Sequence, residues 1–244
     1  MHIMPSFQYV SDLHIEYYNG IEHPFDIEAC AEYLLLAGDI GNPFVESYRL
    51  FLENVSSKFN KIFIIAGNHE YYHNCIDETD EKIRSICSVF NNVIFLQNET
   101  YDISENLKIF GTTLWSYIPP EYDCSLRPDY SFIKNCSPSV TNTIHQRSVK
   151  ALEDEITANP NINYIVLSHH LPSRSLIAQQ YRKYENLNHA YATDLNIAKS
   201  ESIKAWVYGH THSASIIDKY YCNPVGYPGE NITWSMNEIF TITI

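Results

Sequence analysis

Two histidines two positions apart, His210 and His212, directly follow a short apolar run near the far end of the sequence. The run Ile203–Tyr208 has the length and composition of a buried strand, and Gly209 ends it. Because the chain leaves the strand at this glycine, the alternation of strand side chains no longer applies, and both imidazoles can turn toward one point. Imidazole suits transition metals, so the pair indicates a metal site if other ligands converge on it.

Polar side chains also follow four other predicted strands. Together with the histidine pair, the ligand-type residues at these strand ends are Asp12, His14, Asp39, Asn68, His169, His210 and His212. Nitrogen and oxygen ligands without thiolate favour Mn, Fe, Zn, Ni or Co over calcium or an iron–sulfur cluster. Seven ligands are too many for one ion, so the set predicts two metal ions about 3.5 to 4 Å apart that share one carboxylate.

The elements that must position these residues alternate along the chain. Apolar runs predict strands at 6–10, 30–37, 61–66, 93–96, 107–115, 163–167 and 203–208, with short strands within 215–222 and 239–244; apolar stripes at helical spacing predict helices around 44–59, 83–90 and 144–156. Strands alternating with helices are the signature of an α/β domain, whose sites lie beyond the carboxyl ends of its strands. The candidate ligands stand at those ends.

Composition limits the class of protein and its partners. The chain has 244 residues, a formal net charge of −13 and six widely spaced cysteines without a Cys-x-x-Cys pair. We expect a single domain over residues 1–244, located in the cytoplasm with reduced thiols, since no secretory signal and no apolar window of membrane-spanning length is found. The negative charge argues against long nucleic acids as partners. A small anionic substrate is compatible with it, because bound cations can invert the local field.

Five blocks, taken in order, resemble the calcineurin-like metallophosphoesterase superfamily, and they span residues 12–212. The blocks are Asp12-x-His14, Gly38-Asp39, Gly67-Asn68-His69-Glu70, His169 and Gly209-His210-x-His212. The resemblance implies a four-layer α/β/β/α sandwich with two mixed β-sheets and a dinuclear site at one edge. It also implies that Asp12, His14, Asp39 and His212 hold the first metal, that Asn68, His169 and His210 hold the second with Asp39 bridging, and that His69 is a catalytic residue near the leaving group.

The chemistry of a phosphoester agrees with these implied roles. Two cations would offset the growing negative charge, lower the pKa of a bridging water so that it supplies hydroxide near neutrality, and orient in-line attack. Protonated His69 would stabilise or protonate the departing alkoxide, while Asp39 would serve catalysis as the bridging ligand. We expect Glu70 either to orient an imidazole or simply to begin a helix. Manganese is the metal expected to support activity in vitro.

Substrate contacts are expected from residues beside the ligand-bearing segments. These are Asn68, His69, His170, Trp115 and Arg174, with Arg182 as an alternative to Arg174. His170 is ambiguous because it follows the ligand-type His169 directly. The segment 116–139 is either a lid, centred on 122–132, or a peripheral insertion. The segment 171–195 is expected to be a solvated loop and helix.

The function predicted from these observations is that of a metal-dependent phosphoric ester hydrolase acting on a small phosphoester, with phosphodiesters favoured. Asn42 stands where purple acid phosphatases place an iron-binding tyrosine, and Gly38-Asp39-Ile-Gly-Asn42 lacks the form seen in Ser/Thr protein phosphatases. Three alternatives stay open: a phosphomonoesterase or protein phosphatase, a nuclease of the same superfamily, and a non-catalytic binding or scaffold protein. A scaffold would be expected to have lost ligands, and none is lost here.

Overall fold

The strands form two mixed sheets in the computed structural model, which describes residues 4–18, 25–122, 124, 127–230 and 234–243. The first sheet has the order β11-β1-β2-β3-β4 and contains β1 (Ser6–Val10), β2 (Tyr33–Leu36), β3 (Lys61–Ile64), β4 (Val93–Phe95) and β11 (Ile239–Thr241). The second has the order β5-β6-β7-β8-β10-β9 and contains β5 (Glu99–Ser104), β6 (Leu107–Thr112), β7 (Asn163–Ser168), β8 (Ile203–Tyr208), β9 (Ser215–Ile217) and β10 (Tyr220–Cys222).

Helices connect the strands. They are α1 (Glu46–Ser56), α2 (Ile76–Cys87), α3 (Pro128–Phe132), α4 (Pro138–Ala158) and α5 (Glu185–Asn188), with 3-10 turns at Ile15–Tyr17, His69–Tyr71, Arg174–Leu176, Gln179–Tyr181 and Ile197–Lys199. At the start of α4, the Ser137 hydroxyl accepts a hydrogen bond from the Val140 amide and Pro138 occupies the first turn, as is usual where helices begin.

Alternation along the strands separates three apolar layers. Phe63 of β3 packs between the sheets with Ile165 and Val207. Its neighbours Ile62 and Ile64 face the other way, into a cluster with side chains of α1 and α2. On the outer side of the second sheet, the β7 and β8 side chains pack with α4 in the same manner. The layers are therefore α/β/β/α, which confirms the four-layer sandwich of two mixed sheets.

The parallel strands of the two sheets end at a common edge. Strands β1 to β4 are parallel, as are β6, β7, β8 and β10, while β5, β9 and β11 are antiparallel to their neighbours. Several contacts join the sheets at this edge, among them the hydrogen bond that the His210 amide donates to the Asp12 carboxylate (3.0 Å) and the approach of Nδ1 of His169 to the Ala37 carbonyl oxygen (2.9 Å). The candidate ligands of both sheets thus meet.

Three expectations about the central segment need correction. The strand predicted at 107–115 ends at Thr112, because Leu114 and Trp115 have left-handed φ values of 66° and 53°. Strand β5 was not predicted because its side chains are mostly polar at an edge position. The segment 116–139, expected to be a lid or a peripheral insertion without regular structure, contains α3 and the start of α4; its residues 123, 125 and 126 lie outside the described part of the chain. No described helix is long and apolar enough to cross a bilayer.

Candidate metal centre

Five candidate ligands lie in a backbone conformation that residues other than glycine rarely adopt. The φ values are 54° at Asp12, 48° at His14, 52° at Asp39, 69° at His210 and 46° at His212. Left-handed conformations at such residues cost free energy and persist where the surrounding structure enforces them, typically at functional sites. The strand ends are therefore bent sharply toward the common edge.

Asp12, His14 and His212 form the first ligand group. Nε2 of His212 lies 3.3 Å from Oδ1 of Asp12 and 3.2 Å from Nε2 of His14. One ligand atom from each of the three residues lies within 4.8 Å of the other two. This group could hold one metal ion.

Asp39, His169 and His210 form the second ligand group. One ligand atom from each of these residues also lies within 4.8 Å of the other two. Nε2 of His169 lies 3.3 Å from Oδ2 of Asp39 and 3.1 Å from Oδ1 of Asn68. Oδ2 of Asp39 is also 3.9 Å from Nε2 of His14, so this carboxylate lies between the two groups. It is the group best placed to serve two ions at once.

The outer ring nitrogens of three histidines are held by the protein. Nδ1 of His14 lies 3.4 Å from the Glu16 carboxylate, and Nδ1 of His212 lies 2.7 Å from Glu230. Nδ1 of His169 contacts the Ala37 carbonyl oxygen. Each partner orients the ring and leaves Nε2 for the ligand group, which is how metal-binding histidines are usually supported. Glu16 and Glu230 were not predicted.

His210 shows that the donor set fits a metal. Its Nε2 is buried and has no hydrogen-bond partner among the described residues. Burial is the main cause that keeps the pKa of His210 well below its ordinary value. A buried polar atom without a partner is costly, and a neutral imidazole is the form that binds metals, so this nitrogen has the properties of a ligand.

Charge within the site is balanced between carboxylates and imidazoles. Burial opposes ionisation of Asp39, but the charge of His169 holds the pKa of Asp39 well below its ordinary value. Burial likewise opposes protonation of His169, yet the Asp39 charge raises the pKa of His169 to about 10. A metal ion bound by these two residues would take the place of the imidazole proton.

Asn68 is oriented by its amide nitrogen. Nδ2 donates to Oδ1 of Asp129 (2.8 Å) and to the Tyr72 hydroxyl (3.2 Å). Its Oδ1 is thereby turned toward His169 and the second ligand group. Asp129, on α3, was not predicted because its segment shows no strand-end pattern.

Glu70 accepts hydrogen bonds from main-chain amides and orients no imidazole of the described residues, which corrects the first of the two expectations for this residue. Its carboxylate accepts hydrogen bonds from Gly67 (2.7 Å), Asp39 (2.9 Å) and Ile40 (2.7 Å). The loops after β2 and β3 are thus tied together. A Cβ on Gly67 would lie 2.2 Å from Oδ1 of Asp39, so only glycine permits this close approach.

His69 lies beside both ligand groups. Its main-chain amide donates to Oδ1 of Asp39 (2.8 Å), Nδ1 lies 3.5 Å from Oε1 of Glu16, and Nε2 lies 3.2 Å from the Tyr227 hydroxyl. Burial works against the imidazolium, but the charges of Asp39 and Glu16 raise the pKa of His69. This side chain is placed to hold a proton at the edge of the site.

The model of the calcineurin-like phosphoesterase family matches residues 7–214 of the chain. The chain belongs to this family. Members of the family typically bind two metal ions, which agrees with the presence of two neighbouring candidate ligand groups. An uncharacterized protein of Acanthamoeba polyphaga mimivirus is 31% identical to this phosphoesterase, with 85% of each chain covered.

Solved structures support the fold of this phosphoesterase. The phosphopantetheinyl hydrolase of Mycobacterium tuberculosis has a TM-score of 0.73 at 16% identity, covering 99% of this chain and 97% of that one. A Thermus thermophilus protein has a TM-score of 0.52 at 12% identity, with coverage of 85% and 82%. A dimetal phosphatase of Danio rerio has a TM-score of 0.50 at 11% identity, with coverage of 91% and 87%.

A cavity of about 420 Å³ opens beside the ligand groups of the phosphoesterase. Asn68 and His69, both expected to contact substrate, line it. Arg127, from the segment 122–132 that was expected as a lid, also lines it. Much of the remaining wall comes from the segment 171–195, which was expected to be a solvated loop and helix, and from Tyr227 and Glu230, which were not predicted. The wall residues of the segment 171–195 include Leu171, Ile177, Tyr181, Tyr184, Leu187 and Tyr191.

Three other residues expected at the substrate lie elsewhere. Trp115 is 2% exposed and packs on the ring of His170, which is itself buried behind His210. Arg174 is turned toward His189, with Nη2 2.6 Å from Nδ1 of that ring. None of Trp115, His170 and Arg174 is part of the described cavity wall, because proximity in sequence to a ligand does not determine where a side chain points.

Proposed function

We propose that this phosphoesterase hydrolyses a small phosphoester with two bound metal ions, and that phosphodiesters are its preferred substrates. The observation that carries the proposal is the position of Asp39, which belongs to the second ligand group, lies 3.9 Å from His14 of the first, and lines a cavity together with His69. A cavity of this kind, with polar groups converging on part of its wall, is typical of a small-molecule site.

The proposed ligands follow the two groups. The first ion is held by Asp12, His14, Asp39 and His212, and the second by Asn68, His169 and His210 together with Asp39. Manganese is the ion we propose for activity in vitro, from the set Mn, Fe, Zn, Ni and Co that suits nitrogen and oxygen donors. Bound there, two ions would offset the charge of the phosphoryl group and supply hydroxide near neutral pH.

His69 is proposed to act on the leaving group. Its Nε2 would carry a proton toward the departing oxygen, with the Tyr227 hydroxyl at 3.2 Å and Glu16 on the opposite nitrogen at 3.5 Å holding the ring in place. His69 is a proposed catalytic residue, whereas Glu16 and Tyr227 are positioning residues.

A phosphopantetheinyl ester is one candidate among diesters. The Mycobacterium tuberculosis protein with a similar fold, 97% of which is covered by the match, is named a phosphopantetheinyl hydrolase. The apolar wall of the cavity in this chain supports a substrate that carries an organic group on its phosphate. The single-domain organisation, the cytoplasmic location and the exclusion of long nucleic acids stay predictions.

Substrate class is tested by comparing bis-p-nitrophenyl phosphate with p-nitrophenyl phosphate across added Mn²⁺, Zn²⁺, Co²⁺ and Ni²⁺. We expect turnover that depends on metal, with the diester hydrolysed faster. Faster hydrolysis of the monoester would contradict the diester preference and identify the protein as a phosphomonoesterase. No turnover of either ester with any of these ions would contradict the proposed enzyme and favour the scaffold alternative.

A further inference from the structure

Large apolar side chains remain exposed on one wall of the cavity. Tyr181, Tyr184 and Leu187 are 39%, 48% and 45% exposed, and all three line it. They come from the turn Gln179–Tyr181 and from the start of α5. Apolar side chains left in water beside a polar site indicate a ligand that covers them.

Arg127 lies close to the second ligand group without belonging to it. Its guanidinium carbon is 4.4 Å from the centre of the Tyr191 ring, and that ring is in turn 4.7 Å from the ring of His210. Nε is 3.8 Å from Oδ2 of Asp129, the residue that orients Asn68. Arg127 therefore contacts Tyr191, which packs on His210, and lies near Asp129, which orients Asn68.

The guanidinium is held but has donors to spare. Nη1 donates to the Tyr191 hydroxyl at 2.9 Å. Nε is buried and faces the Asp129 carboxylate at 3.8 Å, so the Nη atoms are the donors left for a ligand in the cavity that Arg127 lines. An arginine that is fixed in position with unused N–H groups is well suited to bind phosphoryl oxygens.

The charges around the cavity make Arg127 important for binding an anion. Among the described residues of the cavity wall, Arg127 is the only arginine or lysine, and the wall also carries Asp39 and Glu230. The whole chain has a formal net charge of −13. An anionic substrate would therefore find its favourable charges at Arg127 and at the two proposed metal positions.

We propose, on the basis of the proposed function, that the substrate is a phosphodiester with one apolar arm. Its phosphoryl oxygens bind Arg127 beside the second metal position, and the arm lies along Tyr181, Tyr184 and Leu187. Arg127 is then a substrate-binding residue, and the segment after β7 determines which diesters are accepted.

The apolar arm is tested with p-nitrophenyl phosphodiesters whose second alcohol is methanol, butanol or octanol. For the native enzyme, kcat/KM should rise by about ten-fold or more from methyl to octyl, because the added methylene groups leave water. In the double variant Tyr184→Ser, Leu187→Ser this rise should fall to about two-fold. The control is Val89→Ser, an exposed apolar position outside the described cavity wall, where the rise should be kept. A rise that is absent in the native enzyme, or undiminished in the double variant, would overturn the assignment of the wall.

Arg127 is tested by Arg127→Met and Arg127→Lys, with Arg84→Met as the matched control. Arg84 pairs with Glu99 on the surface and is not part of the described cavity wall. Calorimetry on the Mn²⁺-loaded protein should show affinity for inorganic phosphate reduced about ten-fold or more in Arg127→Met, less in Arg127→Lys, and unchanged in Arg84→Met. KM for the methyl diester should rise by a similar factor.

These two measurements separate the inference from the proposed function, because calorimetry needs no turnover. Phosphate binding that depends on Arg127 in a protein without any hydrolysis would refute the reaction and keep the anion site. Hydrolysis with unchanged KM and unchanged phosphate affinity in both Arg127 variants would refute the role of Arg127 and keep the reaction.

Discussion

His210 and His212 are separated by one residue, yet their imidazoles belong to different ligand groups. His212 lies with Asp12 and His14, whereas His210 lies with Asp39 and His169. Both residues have left-handed φ values, 69° and 46°, so the chain turns between them instead of running straight. A short loop after β8 thereby reaches two candidate metal positions.

Because the two histidines belong to different ligand groups, replacing each one should remove a different metal ion. His210→Asn and His212→Asn should each reduce bound Mn²⁺ from two equivalents to about one, with activity reduced by at least about 100-fold. His73→Asn is the control, since His73 is exposed, has a φ of 70° that asparagine tolerates, and lies in neither group. Metal content is measured by mass spectrometry after gel filtration. Retention of both equivalents in either variant would contradict the assignment of that histidine.

Asp39→Asn should affect both ions, because the Asp39 carboxylate is 3.3 Å from His169 and 3.9 Å from His14. We expect both metal equivalents to be weakened and hydrolysis of bis-p-nitrophenyl phosphate to fall by at least about 1,000-fold. Asp218→Asn changes the same functional group at an exposed position and should leave both properties unaltered. If Asp39→Asn changed neither metal content nor activity, the enzyme hypothesis would be abandoned in favour of a scaffold.

His69→Gln should lower kcat while both metal ions remain bound. The loss should be modest with a p-nitrophenolate leaving group, which needs little protonation, and about 100-fold or more with an alkyl leaving group, because proton transfer to an alkoxide matters more. Rates for the two kinds of ester in the same variant provide the comparison. Equal losses with both leaving groups would argue that His69 orients the substrate instead of donating a proton.

Tyr227→Phe provides the matched test of positioning. The Tyr227 hydroxyl lies 3.2 Å from Nε2 of His69. Its removal should reduce kcat by about ten-fold or less and leave metal content unchanged. An effect larger than that of His69→Gln would assign Tyr227 a direct part in the reaction.

A partly buried carboxylate away from the metal centre predicts a pH dependence of stability. Asp80 accepts a hydrogen bond from Tyr71 (2.8 Å), and burial, as the main cause, raises the pKa of Asp80 to about 6. The folded state therefore binds this proton more tightly than the unfolded state. The contribution of protonated Asp80 to the stability of the folded state is fully present below about pH 4, and it is lost as the pH rises through about 6.

Asp80→Asn should accordingly raise the free energy of unfolding at pH 8 by roughly 1 to 2 kcal/mol, after allowance for partial exposure to solvent, and the gain should shrink toward pH 5. Urea unfolding at both pH values measures it. Asp77→Asn, at an exposed position on the same helix, should show no such trend. A gain that is constant or larger at pH 5 would contradict this explanation.

Much of the fold could be predicted from local pattern. Strand β1 was predicted with its observed bounds, and β3, β7 and β8 were predicted to within two residues, because buried strands appear as short apolar runs. Strand β5 was missed since an edge strand with polar side chains has no such signal. The end of β6 was misplaced because Leu114 and Trp115 are apolar yet leave the ladder.

The sequence by itself determined which ligand-type residues stand at strand ends. Parallel pairing within one sheet brings His169 and His210 to a common edge, and Asp39 to the edge of the other sheet, whereas packing of the two sheets brings Asp39 to within 3.3 Å of His169. Only the tertiary structure decided which side chains line the cavity opposite the candidate ligands. Arg127 and Tyr184 belong to connecting segments without periodicity, and their place on the cavity wall depends on contacts such as that of Arg127 with Tyr191, which are distant along the chain. Local pattern therefore indicates the candidate ligands, whereas long-range packing decides which side chains form the cavity wall.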